Sequence, residues 1–376
     1  MFARTLKFVV AGAFAWALGC AQVVPLGDAD STLCTSMCDA VMKNCVGDNL
    51  VYETQQKCLA TCALLDRGDL GAWQGTNTAA CRLREAALVP AAAAEDVSTL
   101  CRSAGPEGLN CGGVCESYCT LYERACDATQ CGSHTECAQK CAGLRDKGSF
   151  NAIDDFEGNT IQCRLVNLTD AAADGPTPTA HCGHAAFIPT TTCLDIEQSG
   201  TSAQPGLTCE DYCRVIGVAC TADQAEAEYE SSDQCLAVCE HFEVGDITDT
   251  RPNTLGCRLY QAYVSLCSPE HCPYAGPGGE GHCGTEQTDK CASYCGLANG
   301  ICPSAYQAAF SGDDACLAAC AALPDALPTE VLGAGYTVSQ GATPGTLACR
   351  FLALGRAAVD ATLCADAPFG GGACAP

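Results

Sequence analysis

The chain has 376 residues, 35 of them cysteine, and 44 acidic against 19 basic side chains give a formal net charge of −25. So acidic a surface repels phosphate backbones and anionic headgroups, which excludes nucleic acid and direct membrane-surface binding. Cysteine at this density implies metal clusters in a reducing compartment and a disulfide framework in an exported chain.

The N-terminus decides for export. Arg4 and Lys7 precede an apolar run from Phe8 to Leu18, and Gly19-Cys20 follows. A basic region, a short apolar region and small residues make a signal peptide over 1–20, with an apolar run too short to span a bilayer. Its end, Ala17-Leu18-Gly19-Cys20, resembles a bacterial lipobox, in which the cysteine becomes the lipid-carrying first residue of the mature chain. The resemblance implies lipidation at Cys20 and an outer-membrane or cell-surface lipoprotein, held by a lipid anchor rather than a transmembrane helix. Leu18 sits one place later than the lipobox leucine. The alternative is ordinary cleavage near Gly19 or Ala21, leaving a periplasmic or secreted protein. Setting Cys20 aside makes the odd cysteine count even, which suits either reading.

From Cys34 onward the cysteines recur. The openings Cys34-Cys38-Cys45, Cys115-Cys119-Cys126, Cys209-Cys213-Cys220 and Cys291-Cys295-Cys302 are each C-x3-C-x6-C. Each is followed by a second C-x3-C, at Cys58, Cys137, Cys235 and Cys316, and then by three further cysteines. This divides the chain into units at 34–113, 114–194, 209–284 and 291–376, with a linker at 195–208. Offsets of 0, 4 and 11 put the first three cysteines on one stripe of a helix, whereas a strand would split them between faces. The second C-x3-C marks a second helix. The sixth cysteine always precedes Arg, and a Thr always stands three residues before it: Thr78, Thr160, Thr254 and Thr346. That hydroxyl is placed to N-cap a third helix, which in the first unit runs until Pro90 interrupts it. The expected fold is mainly α: four tandem disulfide-rich units of two to three helices with irregular loops.

The paired C-x3-C helices resemble the twin C-x3-C hairpins of other small helical proteins, which join outer cysteines to outer and inner to inner. The resemblance implies Cys34–Cys62 and Cys38–Cys58, Cys115–Cys141 and Cys119–Cys137, Cys209–Cys239 and Cys213–Cys235, and Cys291–Cys320 and Cys295–Cys316. The third cysteine is absent from that pattern, so a ladder of Cys45–Cys58, Cys38–Cys62 and Cys34–Cys81 stays open. The last two cysteines of each unit are close in sequence. They are expected to close a terminal loop as Cys101–Cys111, Cys182–Cys193, Cys272–Cys283 and Cys364–Cys374. Cys131 and Cys267 stand outside the pattern. They either bond each other across the second and third units, or perturb pairing locally, with Cys267 replacing Cys272 beside Cys283, or leave a free thiol.

The loop HCPYAGPGGEGHCG, 271–284, poses the choice between a metal site and a disulfide loop. Its counterparts at 100–111, 181–193 and 363–374 keep the cysteines, while the histidines come and go. A site built on imidazoles needs them, so the disulfide loop is favoured and no cofactor is expected. The alternative is copper or zinc on His271 and His282, or on His181 and His184. Arg82, Arg164, Arg258 and Arg350, constant beside the sixth cysteine, are expected to pair a carboxylate or cap helix carbonyls. The stretch 153–160 reads as a solvated acidic loop, and Asn167-Leu168-Thr169 has the form of a glycosylation sequon.

The recurrent N-T-x-x-C-R-L and the HC-x-x-A-G-P features give the chain after residue 20 a resemblance to cysteine-rich bacterial surface lipoproteins with tandem repeats. That resemblance implies no established activity. The expected function is a non-enzymatic exported scaffold or binding module whose partner is an unidentified protein or envelope component. The alternative is an envelope metal-binding or redox protein using the His/Cys loops.

Overall fold

The computed structural model describes residues 28–71, 75–175, 180–188, 192–193, 207–221, 227–246, 248–284, 289–324, 336–365, 369 and 371–375. The signal segment, Cys20 and most of the 195–208 linker lie outside them. Among the described residues the fold is α-helical, with two isolated β-bridges and no sheet.

In the first unit the two cysteine-bearing helices α1 (Ser31–Asn44) and α2 (Gln55–Ala63) form the hairpin, followed by α3 (Ala79–Leu88) and α4 (Ala94–Ala104). The second has α5 (Val114–Cys126), α6 (His134–Cys141), α7 (Ile161–Asp174) and the short α8 (Ala180–Ala185). The third has α9 (Cys209–Ala219), α10 (Ser232–Cys239), α11 (Leu255–Ser265) and α12 (Cys272–Ala275). The fourth has α13 (Asp289–Ile301), α14 (Pro303–Ala309), α15 (Asp313–Ala321) and α16 (Leu347–Val359).

Local chemistry sets these boundaries. The hydroxyls of Thr78, Thr160, Thr254 and Thr346 accept from the backbone N–H of Cys81, Cys163, Cys257 and Cys349 at 3.3, 3.1, 3.2 and 3.1 Å. Each satisfies one of the donors that a helix start leaves free. α3 ends at Leu88 and Pro90 lies in the 3-10 turn that follows, since proline has no N–H to continue the ladder.

The hairpin helices are bonded outer to outer and inner to inner: Cys34–Cys62 and Cys38–Cys58, Cys115–Cys141 and Cys119–Cys137, Cys209–Cys239 and Cys213–Cys235, and Cys291–Cys320 and Cys295–Cys316. The ladder through Cys45–Cys58 does not form. The terminal loops require a correction. Cys101–Cys111, Cys182–Cys193, Cys272–Cys283 and Cys364–Cys374 are not bonds in this structure. The third cysteine instead takes the seventh, as Cys45–Cys101, Cys126–Cys182, Cys220–Cys272 and Cys302–Cys364. The sixth takes the eighth, as Cys81–Cys111, Cys163–Cys193, Cys257–Cys283 and Cys349–Cys374. The reason is geometric. The seventh cysteine is carried back to the C-terminal end of the opening helix, while the loop beyond it wraps the start of the third helix, where the sixth cysteine waits.

The first two sets pack together through α2 against α7, and the last two through α10 against α16. Lys57 of α2 pairs with Asp170 of α7 in the first case. Arg356 of α16 reaches Glu230, just before α10, at 2.8 and 2.7 Å in the second. The same arrangement of two sets therefore occurs twice. Cys131–Cys267 joins the two arrangements. Between the same two arrangements, the Lys140 ammonium donates to the carbonyls of Val218 and Ala219 at the end of α9, at 3.2 and 3.3 Å.

Candidate functional site

The recurring arginine is buried in the first three units. Arg82, Arg164 and Arg258 are fully buried, at 0% exposure. Arg258 Nε donates to the Gly276 carbonyl at 3.2 Å and Nη1 to the Thr254 carbonyl at 3.2 Å. Its Nη2 donates to Asn253 Oδ1 at 2.8 Å, the Pro277 carbonyl at 3.1 Å and Ser293 Oγ at 2.9 Å. Arg82 repeats this with Gly105, Thr78, Asn77 and Ser117. Arg164 repeats it with Ala186, Thr160, Asn159 and Phe187. Ser117 lies on α5 and Ser293 on α13, so Arg82 and Arg258 each bind the opening helix of the next unit.

Of the two expected roles, the bonds of Arg82 and Arg258 match the second: they reach carbonyls at helix ends, Gly105 after α4 and Gly276 after α12, and otherwise neutral oxygens. The planar fork of five donors is met by carbonyls, an Asn amide oxygen and a serine hydroxyl. Burial lowers the pKa of Arg82 to about 10, with neighbouring Tyr52 opposing the shift. Burial likewise lowers that of Arg258, opposed by Tyr212 and Tyr229. In the first and third units the Ala-Gly-Pro turn of the loop supplies accepting carbonyls, from Gly105 and from Gly276 and Pro277. Gly108 within it has φ +63°, and a Cβ there would stand 2.7 Å from Arg82 Nη2, so only glycine fits.

Arg350 differs. Gly345 stands where the other units have Asn, and Arg350 is half-buried with no hydrogen-bond partner at Nε. A recurrent tyrosine ties the opening helix to the terminal loop of its own unit. Tyr118, Tyr212 and Tyr294 each precede the second cysteine of a unit. Tyr118 and Tyr212 donate to the carbonyls of Ala185 and Ala275, both at 2.7 Å.

Four of the six histidines fall into two small clusters. His271 Nδ1 meets Gln261 Oε1 at 2.8 Å, and the His282 ring stacks on Tyr274 with centroids 3.6 Å apart. The His271 and His282 rings lie 6.4 Å apart. His181 Nδ1 meets Asn167 Oδ1 at 3.0 Å, and its ring is 6.1 Å from that of His184. Burial lowers the pKa of His271, opposed by Glu270 and assisted by His282. Burial also lowers that of His184, with His181 adding to it. The neighbouring cysteines Cys182, Cys193, Cys272 and Cys283 are all in disulfides, which removes thiolate ligands. Among the described residues no three His, Cys, Asp or Glu side chains gather to hold a metal ion.

Two further expectations change. The 153–160 stretch is not wholly solvated. Asp155 is 2% exposed, accepts from the Asn151 N–H at 2.7 Å and pairs with Lys147, while Asn159 serves the buried Arg164. Asn167 is fully buried on α7 and donates to the Cys163 carbonyl at 3.0 Å, so the sequon offers no surface acceptor. Cys20 lies outside the described residues. No described helix is long and apolar enough to cross a membrane.

The family model described as the BfoA family C-terminal domain matches residues 27–117 and 190–289, together about half of the chain. These two stretches contain the first and third cysteine sets, the leading member of each packed pair. Neither a curated protein nor a solved structure matches the chain.

Proposed function

The chain belongs to the BfoA family, and we propose from that premise that it is a non-enzymatic, exported scaffold or binding module of the cell envelope, anchored by lipid at Cys20. Its units are four tandem copies of one disulfide-stapled helical domain, at the boundaries given by the cysteine spacing. The observation that carries the reading is the pairing of every cysteine from Cys34 to Cys374. Complete oxidation at this density suits a compartment outside the cytosol. The buried arginines add a mechanical argument. By binding a serine of the following unit, Arg82 and Arg258 oppose bending at two joins, which suits a part that holds a partner at a fixed distance.

The test is the protein purified from its native host. Its intact mass is read before and after reduction, and the wild type is fractionated beside Cys20→Ala. A diacylglyceryl-type adduct at Cys20, no free thiol, and loss of membrane association in the variant support the reading. An unmodified mature chain in the soluble fraction removes the anchor. Many free thiols with bound copper or zinc replace the scaffold with the metal-binding alternative.

A further inference from the structure

Three positions line the space beside the sixth–eighth disulfide in every unit: the residue four after the sixth cysteine, the residue before the seventh and the residue before the eighth. In the first unit these are Glu85, Leu100 and Asn110; in the second, Asn167, His181 and Thr192; in the third, Gln261, His271 and His282. Each of these units closes the space with a polar pair. Asn110 Nδ2 donates to Glu85 Oε2 at 2.9 Å, His181 meets Asn167 at 3.0 Å, and His271 meets Gln261 at 2.8 Å. Glu85, Asn167 and Gln261 are buried by these contacts.

The fourth unit has Ala353, Leu363 and Ala373 at the same positions. No polar pair remains to close the space, and a cleft of about 470 Å³ opens there. Its floor is the Cys349–Cys374 disulfide, and Leu352, Ala353, Leu363 and Ala373 form its walls. The volume lies within the ~300–1,000 Å³ range of small-ligand sites. Arg356 stands in the lining, but its guanidinium is held in a two-bond pair by Glu230 at 2.8 and 2.7 Å. Thr362 is engaged with Asp360. Among the described residues the lining is mostly aliphatic carbon and sulfur with a polar minority, has no aromatic face, and its one cation is already neutralised.

We propose that this cleft binds a small, uncharged, aliphatic ligand: an acyl or alkyl chain with a neutral polar head. The inference is independent of where the chain is located and of whether Cys20 is lipidated. A carboxylate head would have to displace Glu230 from Arg356 in a protein of net charge −25, so neutral chains are preferred over fatty acids. The other units bury hydrogen-bonded polar groups in the same place, and an alkyl chain entering there would leave them unpaired. The polar pairs of the first three units therefore disfavour such a chain at the equivalent positions.

The experiment titrates the full-length, oxidised protein with the neutral fluorophore N-phenyl-1-naphthylamine and then competes with monolauroyl glycerol or sodium laurate. The expected result is a saturable fluorescence rise with one equivalent, displaced by the glyceride and about tenfold less well by laurate. The variant Ala353→Gln with Leu363→His restores the pair of the third unit. It is expected to weaken the probe by about tenfold or more, with an unchanged circular dichroism spectrum and disulfide mass. If that variant does not reach the wild-type spectrum, Ala373→His, at an exposed wall position, is read in its place. Absence of saturable binding, or equal binding by the folded filled variant, overturns the proposal. Laurate competing as well as the glyceride overturns the preference for neutral heads.

Discussion

Replacing Arg258 by Met tests the join between the third and fourth units. Methionine keeps much of the side-chain length and removes the charge and all five donors. The Thr254 carbonyl still accepts the Arg258 backbone N–H, the Gly276 carbonyl still accepts the Gly279 N–H, and the Pro277 carbonyl still accepts from Ser293 Oγ. Asn253 Oδ1, on a half-buried side chain, is the acceptor left without this donor, which costs about 0.5–1.5 kcal/mol. Three charge-assisted bonds to carbonyls and the guanidinium over the Phe242 ring at 4.1 Å are lost as well. Relief of the buried charge offsets part of this. The expected net loss is about 3 kcal/mol, read from guanidinium chloride denaturation with disulfides intact and an unchanged slope. In a double-mutant cycle with Ser293→Ala, the coupling is expected near 1 kcal/mol. Arg350→Met, at the half-buried site lacking Asn, is expected to cost about 1 kcal/mol. A loss at Arg258 below about 1 kcal/mol, or zero coupling to Ser293, refutes the idea that the arginine ties one unit to the next.

Other outcomes follow from single residues. His134 sits between Glu116 at 3.0 Å and Glu123 at 3.1 Å; burial opposes protonation, but the two carboxylates prevail and its pKa is raised. Its contribution is therefore complete below the usual histidine value of about 6.5 and fades as pH rises through the raised folded value. The difference in Tm between wild type and His134→Gln is expected to be largest on the acidic side and to vanish in mildly alkaline buffer. Thr160→Ala removes the cap on α7, whose Oγ1 accepts from Cys163 at 3.1 Å, and should cost about 1 kcal/mol by the same denaturation assay. Thr160→Ser should restore most of it. Among the described cysteines only Cys267 is exposed, so limiting phosphine reductant followed by thiol alkylation and peptide mapping should label Cys131 and Cys267 first.

The helical hairpins were legible because cysteines four apart share a stripe on a helix, and the caps were legible because Thr holds a constant offset from Cys-Arg. The partners of Cys45 and Cys81 were not. Proximity along the chain suggested that Cys101 closes on Cys111, whereas the return of α4 to the end of α1 places Cys101 against Cys45. That return is a tertiary fact, set by how helices pack. The arginine's surroundings left a trace in sequence. The three units with Asn before Thr bury their Arg completely, and the unit with Gly345 does not. The serines that receive Arg82 and Arg258 stand two after the first cysteine of the next unit, a position whose equivalent before α9's second cysteine is Asp211. The fourth unit's cleft was written as three small or apolar residues at positions that supply a polar pair in each other unit, but its volume depends on how the terminal loop is folded back.

Non-reducing peptide mapping of the native protein tests the central claim most directly, because the whole architecture rests on the bond order. The account predicts Cys45–Cys101 and Cys81–Cys111 in the first unit, their equivalents in the other three, and Cys131–Cys267 between the second and third. Recovery of Cys101–Cys111 or Cys272–Cys283 as closed loops would contradict it.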